Sequence, residues 1–366
     1  MVKHRGLNLK RFISALPWDL FESYFNQLNV SAKPSAWAWL NPGVLFDFLN
    51  DEQNLEATSA ILEDFQRIND LGPNLPFLLY AFNRSGIQWD QDEPGEAGAM
   101  RLFLSDREAF EYAWTLYLLQ TTPLRRCEYY FPAGELNPTP GQSGQLRANL
   151  SGWLSSVKNG NQCLVSLFKD GSKVYVRIAR GKKMTTQALW RGQEISFETF
   201  RPVSEDVLNY DANSNLLTLF GGIKRDRETY IRAFAKYIAE SEALADVALT
   251  TKVFSLEPFR DGSFSYAGTA LIRRIWLTEV QFLDEYKTLQ SLQGAGLWSS
   301  LRSQNLVLGE VDLRRVGIRF EIQTEGMKVS VEVPVEIQPP GFTDLAQKRF
   351  GDIIENYLRH QGVKLI

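Results

Sequence analysis

The stretch QCLVSLFKDGSKVYVRIA, residues 162–179, decides the fold. Two runs rich in β-branched and aromatic residues, Gln162 to Lys169 and Lys173 to Ala179, flank the pair Asp170-Gly171. Asp-Gly between alternating apolar residues is a strong hairpin signal, because the tight turn it makes needs φ > 0 at its centre. Strand alternation sets Lys173, Tyr175 and Arg177 on one face and Val174, Val176 and Ile178 on the other. A paired, antiparallel sheet is therefore expected from this point on.

Downstream the pattern continues. Glu194 to Phe200 reads as a strand, and Val207 to Tyr210 with Leu216 to Phe220 form a second hairpin around the polar stretch Asp211 to Asn215. Asp226 is placed to cap a helix that buries Ile231, Phe234, Ala235 and Ile238. Ala270 to Leu283 is long and apolar, and Val316 to Ile322 with Lys328 to Ile337 read as a last hairpin around Thr324-Glu325-Gly326. Thr343 is expected to cap a final helix carrying Ala346, Phe350, Ile353, Ile354 and Tyr357, which Gly362 ends.

Upstream the period changes from two to about 3.6. Leu16 to Leu28 sets Trp18, Phe21, Tyr24, Phe25 and Leu28 on one helical face, with Pro17 at its start. Asn41-Pro42 reads as a cap and first helical residue, and Leu55 to Ile68 as a helix stopped by Gly72-Pro73. Ser105 and Glu108 have the spacing of a capping box ahead of Phe110, Trp114, Tyr117 and Leu118. Asp90 to Gly98 is expected to be a loop, and Pro132 to Gly144 (PAGELNPTPGQSG) a connection. The expected class is α+β: a helical N-terminal part, residues 1–125, then residues 126–366 as a mixed, mainly antiparallel sheet with flanking helices.

Composition bounds the function classes. A chain of 366 residues, 44% hydrophobic, builds a core without help from disulfides or metal. Its net charge of −3 gives no global attraction to nucleic acid or anionic lipid. Two cysteines, Cys127 and Cys163, far apart in sequence, suggest reduced thiols in a cytoplasm, with Cys163 as a small buried hydrophobe. No uninterrupted apolar run follows the basic start Met1 to Gly6, and no stretch of about 18 apolar residues occurs, so neither a signal peptide nor a membrane partner is expected.

Two histidines, His4 and His360, exclude HExxH proteases and multi-histidine metal centres. His360 falls in the last turn of the terminal helix, where a partly charged imidazole suits the helix dipole. There is no CxxC, no G-x-S-x-G elbow and no P-loop, and no cofactor is expected. Gly221-Gly222 lies between a strand and a helix, a place where a phosphate can sit. G-x-G-x-x-G is missing, however, and a plain Gly-Gly turn is the simpler reading. One carboxylate set resembles a restriction-type nuclease core, with Asp312 upstream of Glu321 and Gln323, but the spacing is short and the usual lysine is missing.

The main positive signal is basic. Lys169 to Arg201 holds eight basic and three acidic residues, a local charge of +5. Lys173, Tyr175, Arg177, Arg180, Lys182, Lys183, Trp190 and Arg191 interleave cations with aromatics, a pattern that holds a phosphate backbone and stacks a base. The plain alternative is a solvated edge guarded by charge. Opposite charge gathers at Asp47 to Asp70, with seven acids and one base. The run Trp37-Ala38-Trp39-Leu40 either packs under a loop or contacts a partner. The expectation is a non-catalytic binding or scaffold subunit of a bacterial multi-protein assembly, antiviral defence being one setting. Its partners would be other protein subunits, with nucleic acid as a candidate contact of the basic hairpin. A metal-dependent nuclease and a small-ligand sensor are the alternatives.

Overall fold

The computed structural model describes residues 7–27, 41–51, 55–90, 92–121, 126–157, 160–191, 194–294, 297–304, 306–323, 329–345 and 348–366. His4 and Trp37-Ala38-Trp39-Leu40 lie outside the described residues. The chain divides into two compact units, Met1–Pro123 and Leu124–Ile366.

The first unit is helical: α1 (Leu9–Ala15), α2 (Trp18–Gln27), α3 (Pro42–Asn50), α4 (Leu55–Leu71), α5 (Leu75–Ser85), α6 (Gly95–Ser105) and α7 (Arg107–Thr121). Local chemistry starts several of them. Asn8 Oδ1 accepts from Arg11 N at 3.0 Å, and Asn41 Oδ1 accepts from Gly43 N at 2.9 Å with Pro42 at the first helical position. The capping box expected at Ser105 is displaced by one residue. Ser105 ends α6, and Asp106 Oδ1 caps α7 by accepting from Ala109 N at 2.9 Å. The loop expected over Asp90 to Gly98 is shorter than that, because α6 already begins at Gly95. The core centres on Phe65, fully buried, whose ring lies 5.0 Å from Tyr24, 5.2 Å from Phe12 and 5.7 Å from Phe21.

The second unit contains β1 (Arg126–Tyr130), α8 (Pro140–Ser156), β2 (Cys163–Asp170), β3 (Lys173–Gly181), β4 (Thr185–Arg191), β5 (Glu194–Phe200), β6 (Val203–Asp211), β7 (Leu216–Phe220), α9 (Lys224–Tyr237), α10 (Ala243–Thr250) and α11 (Glu257–Arg260). It continues with β8 (Ile272–Leu283), β9 (Leu289–Gln293), α12 (Leu297–Ser303), β10 (Asp312–Ile322), β11 (Val331–Gln338), β12 (Phe342–Thr343) and α13 (Gly351–His360). Ten strands form one sheet in the order β2-β3-β6-β7-β1-β12-β11-β10-β8-β9, with every pairing antiparallel. Among the described residues β4 and β5 pair only with each other. The class is α+β, as the hairpin signals imply.

Two expectations change here. Pro132 to Gly144 is no connection between units but lies inside the second, and its last residues open α8 with Pro140 in the first turn. Thr343 does not cap the terminal helix, although its Oγ1 accepts from Leu345 N at 3.2 Å. It sits in β12, paired with Arg126 and Ile337, while the terminal helix starts at Gly351.

Helices cover the sheet on opposite faces of its two halves. Tyr129, Leu217, Val176 and Leu208 pack with α8 and α9 residues such as Leu150 and Phe234. Their chain neighbours Tyr130 and Leu216 pack instead with Phe320, Ile354 and Leu358 of the other half. Successive strand residues face opposite ways, so the second helical layer lies across the sheet from the first.

The halves meet at β12, which contributes only two register pairs to each neighbour. Glu128 N donates to Gly341 O at 2.8 Å and Val253 N to Pro340 O at 2.8 Å, extending the seam. A Cβ on Gly341 would stand 1.8 Å from Glu128 O, so no other residue fits there. Glu128 is buried and pairs with Arg126 at 2.5 Å and with the equally buried Lys364 at 3.2 Å. Lys364 in turn reaches Glu355 of α13 at 2.5 Å.

Phe65→Ala removes the ring on which the first unit's aromatic cluster converges. We expect a loss of about 3–5 kcal/mol in stability, read as a lower urea midpoint of the transition of the first unit.

Candidate functional site

The basic run divides into two chemically different parts. β3 is an inner strand between β2 and β6, so its cations meet the acids of β6. Lys173 Nζ lies 3.9 Å from Asp211, and Arg177 pairs with Glu205 at 3.1 Å and with Ser166 Oγ at 3.4 Å. Tyr175 is buried on the same face. Arg180 faces the helical side, where it donates to Asp206 at 2.8 Å and to Asp226 of α9 at 2.7 Å. All three charged groups are buried. Burial alone would pull the guanidinium down, but Tyr230, Asp206 and Asp226 around it raise it above its ordinary value. Tyr230 donates to Asp206 at 2.7 Å, and burial followed by that carboxylate holds its phenol protonated well above the usual range.

Lys182 and Lys183 differ from these. They follow β3 at the base of the β4–β5 ribbon, and both are exposed. The backbone there is fixed by Lys182 N donating to Pro202 O at 2.8 Å and by Arg201 Nη1 donating to Lys182 O at 2.6 Å. Trp190 and Arg191 occupy the end of β4, with Cα atoms opposite Ile195 and Glu194. Of the eight sequence-derived residues, Lys173, Tyr175, Arg177 and Arg180 thus belong to the sheet and its ion pairs, and the remaining four to the ribbon and its base. The ribbon carries apolar residues that the charge pattern did not reveal: Phe197 is 73% exposed and Ile195 56%, with Met184 and Phe200 also exposed.

The carboxylate set does not assemble. Asp312 and Glu321 stand at opposite ends of the same strand, β10, nine steps of about 3.3 Å apart. A nuclease core needs its acids side by side on neighbouring strands. Asp312 pairs with Arg314, Glu321 accepts from Ser330 Oγ at 2.6 Å, and Gln323 lies beyond the strand end. Among the described residues no group of three or more His, Cys, Asp and Glu side chains could hold a metal ion. His360 is exposed in the last turn of α13, with Nδ1 2.7 Å from Asn356 O.

A cavity of about 820 Å³ opens where the Gly221-Gly222 turn, the start of α9, the Pro339–Gly341 turn and Arg314 of β10 come together. Both glycines have positive φ, 96° and 62°, which lets the chain leave β7 and enter α9 without side-chain strain. Gly222 N donates to Asp206 at 2.9 Å, and Gly222 O accepts from Arg227 Nη1 at 2.7 Å. The Arg180 network and the cavity wall therefore share the same turn. Tyr129 forms part of that wall, and burial, then the Cys127 thiol, push its phenol up to about 12 against the pull of Arg227.

Both cysteines are buried. Burial drives the Cys163 thiol up to about 11, with Arg180 and Arg147 opposing. No protein-family model matches the chain, and no curated protein matches it.

Two outcomes are expected. Asp206→Ala leaves Arg180 short of a partner and strips Tyr230 and Gly222 N of their acceptor. It should cost about 3–5 kcal/mol by urea unfolding, and Asp206→Asn distinctly less. A thiol with a raised pKa holds less thiolate at neutral pH. Alkylation of Cys163 at pH 8 should therefore run about a hundredfold slower than that of a free cysteine and accelerate as pH climbs toward 11, read by peptide mass spectrometry.

Proposed function

We propose that this protein is a non-catalytic binding subunit that docks on a partner protein through the β4–β5 ribbon. One observation carries the reading. Phe197 and Ile195, 73% and 56% exposed, lie on a ribbon whose strands, among the described residues, pair only with each other. Large apolar side chains in water are costly unless a partner covers them, and a projecting two-stranded ribbon is marginal without such cover. The ion pairs of Arg177 and Arg180 weaken the nucleic-acid reading, since those cations already have carboxylate partners. Lys182 and Lys183 are the exposed cations at the base of the ribbon, where they would steer an acidic partner. The cytoplasmic setting is inferred from a content of only two cysteines, far apart in sequence. No helix among the described residues is long and apolar enough to cross a membrane.

The test compares two variants expressed in native cells. Ile195→Ser with Phe197→Ser should lose a stoichiometric co-purifying subunit while thermal stability stays at the wild-type value. Lys182→Ala with Lys183→Ala should keep that subunit and slow its association at low salt. If instead the lysine variant loses DNA or RNA binding with a steep salt slope and the apolar variant loses nothing, the nucleic-acid reading replaces this one. If both variants retain every partner, the ribbon is no interface.

A further inference from the structure

We propose that the cavity bordered by Gly222, Lys224, Arg227 and Arg314 binds a phosphate-bearing ligand of nucleotide size. Three observations combine. The volume, about 820 Å³, matches a ligand of that size. The wall carries three cations from two separate elements, Lys224 and Arg227 on α9 and Arg314 on β10, against a single carboxylate, Glu228. The rest of the wall mixes polar groups, among them Gln338 and Tyr129, with Pro340 and Phe342, surfaces against which a flat ring packs.

The cations have capacity to spare. Arg227 spends Nη1 on Gly222 O and also hydrogen-bonds the Tyr129 phenol, while its Nε is buried without a hydrogen-bond acceptor. A buried donor without a partner is costly, and a phosphate oxygen is a strong acceptor for it. Lys224 is 87% exposed and its contact with Glu228 is long, 3.9 Å, which holds little of its charge. Arg314 pairs with Asp312, which is not part of the wall, and both are about half exposed. Side chains, and not the helix N-terminus, supply the attraction. Asp226 already accepts from Ile223 N at 3.3 Å and fills the first turn of α9 with negative charge committed to Arg180.

This site is separate from the ribbon, so its test does not depend on partner docking. The full chain is titrated calorimetrically at low ionic strength with ATP, pyrophosphate and adenosine as probes. ATP is expected to bind, pyrophosphate to bind more weakly, and adenosine not to bind at concentrations up to about 1 mM. Lys224→Glu with Arg314→Glu, two solvent-facing positions that leave the core intact, should weaken ATP at least about tenfold at unchanged thermal stability. Ile195→Ser with Phe197→Ser should leave ATP binding as in the wild type. The proposal fails if neither ATP nor pyrophosphate binds, if adenosine binds as tightly as ATP, or if the charge-reversed variant binds ATP as the wild type does.

Discussion

Arg180 is withdrawn from water between Asp206 and Asp226, and a charge in that position constrains everything attached to it. Desolvating an ion costs several kcal/mol even after relaxation, and attraction repays it only when the geometry is good and the remaining donors are satisfied. Here one guanidinium reaches two carboxylates at 2.8 and 2.7 Å, while Tyr230 and Gly222 N fill further sites on Asp206. The participants come from β3, β6, α9 and the turn before it, so none of these can slide without exposing a charge to apolar surroundings. The Gly221-Gly222 turn owes its position to this cluster, and with it the cationic wall of the cavity.

A second buried charge closes the seam of the sheet. Glu128 and Lys364 are both removed from solvent, and Arg126 and Glu355 complete the set. Backbone pairing at β12 is short, so this cluster and the contact permitted by Gly341 hold the halves where hydrogen bonds are few. The cavity lies beside that seam and draws its residues from both halves, Arg314 from one and Arg227 from the other.

Much of the sheet was legible because hairpins are local. Asp170-Gly171 and the stretch Asp211 to Asn215 sit where strands turn, and alternation fixes which side chains face inward. Helices whose starts are disguised were not legible. α8 opens with Pro140-Gly141 inside a Pro- and Gly-rich stretch, α6 opens with Gly95 after Pro94, and α5 carries Pro76 in its first turn. Thr343 keeps the chemistry of a cap, its Oγ1 accepting from Leu345 N, but its backbone pairs with β1 and β11 and the terminal helix starts only at Gly351. The candidate site was half legible. Sequence exposes the cations of residues 169–201, but not the acids that neutralise them, because only register sets Ala179 opposite Glu205 and Ile178 opposite Asp206. The apolar face of the ribbon escaped for a different reason. Ile195 and Phe197 read as ordinary strand residues until the structure leaves both side chains exposed.

The placement of β1 has a consequence for synthesis of the chain. This strand, among the first of its unit to leave the ribosome, pairs with β7 through Arg126 and Phe220 and with β12 through Arg126 and Thr343. Neither neighbour exists when β1 emerges, and the second arrives only with the final stretch of the unit. Contacts so distant along the chain make folding slow and leave strand edges open in the meantime. The nascent unit must pass through a long interval with an unpaired central strand, so a holding chaperone would affect its yield far more than its final stability.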